Sequence, residues 1–118
     1  MRKVLILAAA LATFAAGEAS AHARLLSSTP AKGASAHAVV MLRMSFSEVI
    51  VPAKSRVRVA GASGAVSAGP LALDAKNTHV AILPFRAPLA AGAYHVNWAA
   101  TTDDGHHTEG TFDFNVRK

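Results

Sequence analysis

The chain of 118 residues contains no cysteine, and aromatic residues make up only 6% of it. The lack of cysteine excludes a disulfide framework and leaves nitrogen, oxygen and thioether atoms as the only donors for a bound metal. The 12 Lys and Arg residues exceed the 7 Asp and Glu residues, but they are spread along the sequence. Without a basic stripe or an aromatic platform for stacking bases, we expect no nucleic-acid partner.

The first 21 residues have the pattern of a secretory signal peptide. A short positively charged start, residues 1–3, precedes an apolar run over residues 4–16. Ala19-Ser20-Ala21 then matches the A-x-A pattern that signal peptidases recognise, which predicts cleavage after Ala21. We therefore predict an exported protein that consists of residues 22–118 and begins with His22.

A membrane anchor is the alternative interpretation of the same segment. A spanning helix needs about 20 apolar residues. The run over residues 4–16 is shorter, and Gly17 and Glu18 end it. No later stretch is long and apolar enough to cross a bilayer, because charged residues, glycine or proline interrupt each one. We therefore expect a soluble mature domain, residues 22–118.

The mature sequence has the alternating pattern of short β-strands and shows no helical period. Glycine, proline and short polar clusters separate the apolar segments, as in a sandwich or barrel. We predict an all-β, Ig-like Greek-key sandwich or barrel of about seven antiparallel strands, held together by apolar packing without a disulfide. The predicted strands are 23–28, 39–46, 55–60, 66–68, 79–83, 92–98 and 111–116.

Alternation within three of these strands predicts which side chains face the core. The predicted core positions are Val40, Leu42, Met44 and Phe46, then Tyr94, Val96 and Trp98, then Phe112, Phe114 and Val116. Met41 and Met44 are expected on opposite faces of their strand, because successive strand side chains point in opposite directions.

His22 and the segment Asp104-Gly105-His106 form the strongest candidate site. After cleavage, His22 offers two donors at once, its α-amine and its imidazole Nδ1, which can close one chelate ring around a metal ion. Amine, imidazole and carboxylate donors suit a tetragonal Cu(II) ion, with Zn(II) as the main competitor. Gly105 permits backbone angles that turn Asp104 and His106 toward one point. We therefore predict a metal site formed by His22, Asp104 and His106.

Simpler interpretations exist for the same residues. Asp-Gly is a common turn pair, and a loop histidine is commonly solvated. Asp103 is an alternative carboxylate ligand, and His107 is either an additional ligand or a residue that supports one of the ligands. The remaining polar candidates, namely Glu48, His37, His79 and His95, are interpreted as surface positions, and Trp98 as a core residue.

Several motifs along the mature chain belong together as a family pattern. They are His22-Ala23 with Leu25, STPAKG at 28–33, LRMSFSE at 42–48, PAKS at 52–55, GAYHVNW at 92–98, TDDGH at 102–106, and then Gly110, Phe112, Phe114 and Val116. With these motifs, nearly the whole mature chain resembles the CopC-type family of periplasmic copper-resistance and copper-binding proteins.

The resemblance implies a β-barrel or sandwich that binds Cu(II) through the amine and imidazole of the first residue and the D-G-H motif. Carried over, the ligands are His22, Asp104 and His106, with one Cu(II) per chain. Some members of the family also have a methionine-rich loop that binds Cu(I), but only Met41 and Met44 follow the signal peptide here. We therefore expect no Cu(I) site.

The resemblance favours a monomeric periplasmic copper carrier or buffer in copper homeostasis and resistance, and not an enzyme. Its implied partners are the copper ion and either an inner-membrane copper importer of the CopD type or a periplasmic copper oxidase. One alternative is a histidine-brace copper oxidase or monooxygenase, although the short mature chain leaves little room for a substrate surface. Another is an Ig-like interaction module that docks a membrane copper transporter.

Overall fold

Nine β-strands and one 3₁₀ turn form the part of the chain that the structure, a computed structural model, describes, which is residues 22–118. The predicted signal peptide, residues 1–21, lies outside the described residues. The strands are β1 (Leu25–Thr29), β2 (Ser35–His37), β3 (Met41–Phe46), β4 (Arg56–Gly61), β5 (Gly64–Ala65), β6 (Ala72–Leu73), β7 (Val80–Pro84), β8 (Gly92–Thr101) and β9 (His107–Arg117), and the 3₁₀ turn is Pro52–Lys54. No helix in this part of the chain is long and apolar enough to cross a membrane.

The strands form two sheets that pack face to face. One sheet has the order β1-β3-β7-β6, and the other has the order β2-β9-β8-β4-β5. Neighbouring strands are antiparallel except β2, which lies parallel to β9. The predicted all-β sandwich is confirmed. About seven antiparallel strands were expected, and nine strands are present in residues 22–118, one of which, β2, is parallel to its neighbour. The three residues of β2 are too few to give a pattern that predicts it.

The segment 66–68, expected to be a strand, is instead a crossing between the sheets. The hairpin after β4 closes on Gly64–Ala65, and Ala68 forms only an isolated bridge to Phe85. Pro70 follows at once, and proline cannot donate to a strand ladder. The prediction of a strand at 66–68 is therefore wrong.

Side chains from both sheets fill the space between them. Phe46 and Trp98 meet edge to face with ring centroids 5.3 Å apart, and Tyr94 stacks on Phe114 at 5.5 Å. Ten predicted core positions were named from alternation, and nine of them are buried. Val40 is the exception at 48% exposed, because it precedes β3 and the alternation does not extend back to it.

Arg43 and Asp74 form an ion pair that ties β3 to the turn before β7. A guanidinium N–H of Arg43 donates to Asp74 Oδ2 at 2.8 Å, and the Lys76 backbone N–H donates to Oδ1 at 3.1 Å. The Arg43 hydrogen bond, followed by the Lys76 hydrogen bond, lowers the pKa of Asp74 below its ordinary value of 3.8. The folded state therefore favours the ionised carboxylate.

We predict that Asp74→Asn lowers the thermal midpoint at neutral pH. A lowered carboxylate pKa contributes stability above the unfolded-state value, and that contribution is lost as the pH falls through the folded-state pKa. The difference between wild type and variant should therefore shrink as the pH is taken below 3.8. The check is a set of thermal melts between neutral pH and pH values below 3.8. The proteins compared are wild type, Asp74→Asn, Arg43→Gln and the variant that carries both substitutions. A difference that persists unchanged at low pH would contradict the prediction.

Candidate metal centre

The loop between β8 and β9 carries the D-G-H segment. The Thr102 N–H donates to the His106 carbonyl at 3.0 Å, and the Gly105 N–H donates to the Thr102 carbonyl at 2.9 Å. Gly105 has a φ of +88°, in the left-handed region that glycine adopts readily. An added Cβ at this position would have no heavy atom within 4 Å, so the need for glycine is one of backbone conformation. The tight turn therefore brings the side chains of Asp104 and His106 close to each other.

Contacts around residues 22–24 hold the start of the domain against the same end of the sandwich. Ala23 is buried at 2% exposed, and its carbonyl accepts a hydrogen bond from the Thr108 hydroxyl at 2.8 Å. The Arg24 N–H donates to Ser47 Oγ at 2.8 Å, and the Ser47 N–H donates back to the Arg24 carbonyl at 2.9 Å. These contacts set His22 beside the D-G-H loop.

His106 lies next to both other predicted ligands. Its ring centroid is 4.9 Å from that of His22, with the two ring planes at 49°. Its Nδ1 lies 3.0 Å from Asp104 Oδ2. The side chains of His106 and Asp104 remain 45% and 56% exposed, so solutes can approach them. The segment 22–24 and the D-G-H loop, which are far apart in sequence, thus meet at one exposed corner of the sandwich, formed by His22, Asp104 and His106.

Hydrogen bonds keep Asp104 ionised. The Thr102 hydroxyl donates to Asp104 Oδ1 at 2.6 Å, and His106 faces Oδ2. The Thr102 hydrogen bond, followed by that from His106, lowers the pKa of Asp104 from 3.8 to about 2. At neutral pH the carboxylate therefore offers anionic oxygen atoms, which suits it to a cation.

The described side chains do not form a finished metal site. Within residues 22–118, no group of three or more His, Cys, Asp or Glu side chains is arranged to hold a metal ion. The two oxygens of Asp104 face Thr102 and His106, and His22 contacts the ring of His106. The predicted amine donor exists only when His22 is the first residue. The ligand set of His22, Asp104 and His106 therefore stays a prediction.

Asp103, Glu48 and His79 line a shallow depression together with Asp104, next to the corner just described. His79 is exposed, as predicted, and Glu48 is half-buried. Only the tertiary structure shows that both lie beside the candidate site. His107 is exposed at the start of β9, where its Nδ1 lies 3.3 Å from the Thr101 hydroxyl.

Two other histidines lie on the five-stranded sheet, away from the D-G-H loop along the chain. His95 in β8 pairs with Asp113 in β9 at 2.6 Å, and both side chains are more than half exposed. His37 in β2 has its Nδ1 3.3 Å from the Arg117 carbonyl. Both have the surface positions expected of them.

Trp98 is a core residue, as predicted. It is 7% exposed and packs against Phe46 on one side. On another side it lies so close to Gly110 that an added Cβ would come within 2.8 Å of the indole ring. The requirement for glycine at position 110 is therefore a matter of space.

Three hydroxyl residues that shape this corner were not found by sequence reasoning. Thr102 donates a hydrogen bond to Asp104, and Ser47 and Thr108 form hydrogen bonds with residues 22–24. Serine and threonine are common in loops and strands, so their presence alone carries no signal. The roles of Ser47 and Thr108 depend on contacts between segments that are far apart in sequence, and that of Thr102 depends on the shape of the closed loop.

A CopC domain family model matches residues 25–117, which is most of the chain. The chain belongs to the CopC family. It is 32% identical over 105 residues to copper resistance protein C of Pseudomonas syringae pv. tomato, with 84% of this chain and 83% of the relative covered. It is also 32% identical over 120 residues to copper resistance protein C of Escherichia coli, with 95% and 94% covered. The family resemblance in the sequence is confirmed.

Solved structures of the same family share the fold. The crystal structure of PcoC, a methionine-rich copper resistance protein from Escherichia coli, superposes with a TM-score of 0.76 at 29% identity, covering 82% of this chain and all (100%) of PcoC. The crystal structure of CopC from Methylosinus trichosporium OB3b gives a TM-score of 0.70 at 26% identity, covering 80% and 93%.

This CopC-family chain differs from PcoC in its methionines. PcoC is described as methionine rich. Residues 22–118 here contain only Met41 and Met44. Met44 is buried at 1% exposed, whereas Met41 is 38% exposed on the other face of β3. The described residues therefore contain no pair of methionine sulfurs on one face of this strand.

We predict that Gly105→Ala strains the D-G-H loop. A left-handed backbone costs an alanine about 1–2 kcal/mol, and the loop is expected to relax away from the present turn. Chemical denaturation should show a loss of that size, and nuclear magnetic resonance should show shifts confined to the loop. Gly105→Asn is the matched control, because asparagine tolerates this region better. Equal losses in the two variants would contradict a purely conformational role for glycine.

Proposed function

We propose that this CopC-family protein binds one Cu(II) ion per chain and acts as a copper carrier or buffer in the periplasm, in copper homeostasis and resistance. The proposed ligands are the amine and imidazole of His22, the carboxylate of Asp104 and the imidazole of His106. The observation that carries the proposal is the meeting of the His22 and His106 rings beside Asp104, at 4.9 Å and 3.0 Å. The relatives named copper resistance protein C support the choice of metal.

The spacing of His106 and Asp104 is compatible with one shared ion. First-row metals bind imidazole nitrogen and carboxylate oxygen at about 2.0–2.2 Å, so two such donors at a right angle lie about 2.9 Å apart. Nδ1 of His106 and Oδ2 of Asp104 are 3.0 Å apart. The separation of the two donor atoms therefore already suits a shared ion, and the two side chains need to turn so that both donors point at it instead of at each other. The His22 amine and imidazole would complete a tetragonal set, which Cu(II) prefers.

Export is part of the proposal, because cleavage of the signal peptide frees the α-amine of His22. Cleavage after Ala21 makes His22 the first residue and places the domain in the periplasm, which is an oxidising compartment. The contacts of Ala23 with Thr108 and of Arg24 with Ser47 lie on the mature side of that bond. The anchoring of His22 therefore does not need the signal peptide.

The open position of the corner favours transfer over catalysis. His106 and Asp104 remain about half exposed, so ligands of a receiving protein can approach the ion before it leaves. The proposed receivers are a CopD-type inner-membrane importer or a periplasmic copper oxidase, with the carrier acting as a monomer. A carboxylate ligand would also occupy a position that oxygen chemistry needs. Cu(I) is not a proposed cargo, because Met41 and Met44 face opposite ways.

We predict that a single residue retained before His22 removes the tight site. Residues 22–118 with a free amine should bind one equivalent of Cu(II) with a tetragonal electron paramagnetic resonance spectrum, whereas a copy that keeps Ala21 should bind more weakly with a changed spectrum. The comparison is a Cu(II) titration of both forms, with thermal melts of the metal-free proteins to show that they are equally folded. Equal affinity and identical spectra would show that the amine is not a ligand.

The adjacent histidines provide a matched test of the loop ligand. We predict that His106→Ala lowers Cu(II) affinity by at least about 10-fold. Removal of a residue that supports a metal ligand typically lowers metal affinity about 10- to 100-fold, and removal of the ligand itself should lower it at least as much. His107→Ala should leave affinity close to that of wild type, because its Nδ1 lies near the Thr101 hydroxyl at 3.3 Å. Competition titration against a Cu(II) chelator measures both. The opposite order of losses would assign the ligand to His107.

A further inference from the structure

We propose that Thr102 is a positioning residue of the metal site. Its hydroxyl holds one oxygen of Asp104, so that the other oxygen is turned toward His106 before any metal arrives. This inference rests on the proposed function, because it concerns how the Asp104 ligand is prepared for the ion. Thr102 itself touches no metal.

Backbone hydrogen bonds place Thr102 in the loop, and its hydroxyl adds only a long contact of 3.4 Å to the His106 carbonyl. Its N–H donates to the His106 carbonyl at 3.0 Å, and its carbonyl accepts from Gly105 at 2.9 Å. Thr102 also forms an antiparallel bridge with Ile50. Thr102 is only 7% exposed, and no other polar or charged residue that the structure describes, tyrosine aside, is as deeply buried. Removing the hydroxyl should therefore leave the loop backbone in place.

The hydroxyl makes the short contact to Asp104. Thr102 Oγ1 lies 2.6 Å from Oδ1, whereas the His106 N–H reaches the same oxygen only at 3.4 Å. Hydrogen bonds to an ionised oxygen are the short and strong kind. Oδ1 is thus occupied by Thr102, and Oδ2 is left at 3.0 Å from His106 Nδ1.

Without this hydroxyl, the side chain of Asp104 keeps only its contacts with His106, namely Nδ1 at 3.0 Å from Oδ2 and the N–H at 3.4 Å from Oδ1. The Asp104 side chain is 56% exposed, and water would compete for Oδ1. A ligand that must be ordered during binding lowers affinity relative to one that is already ordered. Loss of a group that orients a metal ligand typically lowers metal affinity about 10- to 100-fold.

The test compares variants at position 102 in the mature protein, residues 22–118 with a free amine. Thr102→Val removes the hydroxyl and keeps the shape, and Thr102→Ala removes it without placing a methyl group against the carboxylate. Thr102→Ser keeps the hydroxyl and is the rescue variant. Thr111→Val is the matched control, because Thr111 is an exposed threonine in β9.

The expected result is a loss of Cu(II) affinity of about 10- to 100-fold in Thr102→Val and Thr102→Ala, with an altered paramagnetic resonance spectrum. Thr102→Ser and Thr111→Val should match wild type in both measurements. Wild-type affinity and spectrum in the two hydroxyl-free variants would overturn the proposal, as would an equal loss in Thr102→Ser.

A second measurement needs no copper. Three-bond couplings in the metal-free protein report the χ1 rotamer of Asp104, which should be single in wild type and Thr102→Ser and averaged in Thr102→Ala and Thr102→Val. A single rotamer in the hydroxyl-free variants would overturn the positioning role even if affinity fell. If wild type binds no Cu(II) but these rotamers behave as expected, the proposed function fails and the positioning of Asp104 stands.

Discussion

The pairing of β8 with β9 is the constraint on which the candidate site depends. The two strands remain in register from Gly92 opposite Val116 to Thr101 opposite His107. Tyr94, Trp98 and Phe114 on their inner faces fill the space between the sheets. The short loop at the far end of this hairpin has little freedom once the strands are packed. The D-G-H segment is therefore held at a fixed corner of the sandwich.

The other half of the corner reaches it through a few polar contacts near the start of the domain. Burial of Ala23 and the hydrogen bonds from Thr108 and to Ser47 determine where His22 lies. The proposed metal site would thus join a packed hairpin to a short segment held by hydrogen bonds, and contacts within the protein position both parts. Preparing the donors in advance reduces the ordering that binding must accomplish.

Sequence reasoning succeeded where a local pattern carries the information. Alternation along β8 and β9 correctly predicted buried Val96, Phe112 and Phe114, because side chains in a strand alternate between two faces. It failed at Val40, which lies just outside β3, and at the segment 66–68, which crosses between the sheets. In both places the end of the strand depends on which backbone N–H and carbonyl groups form hydrogen bonds with residues elsewhere in the chain.

The sequence by itself determined the fold class, the family and the residues that bear donor atoms, because apolar alternation, glycine and proline signals and the D-G-H motif are local properties. It could not determine the neighbours of those donors. Only the tertiary structure set His22 beside His106 and placed Thr102 on the carboxylate of Asp104. Such contacts join segments that are distant in sequence or depend on the shape of a closed loop, so they exist only after both sheets have packed.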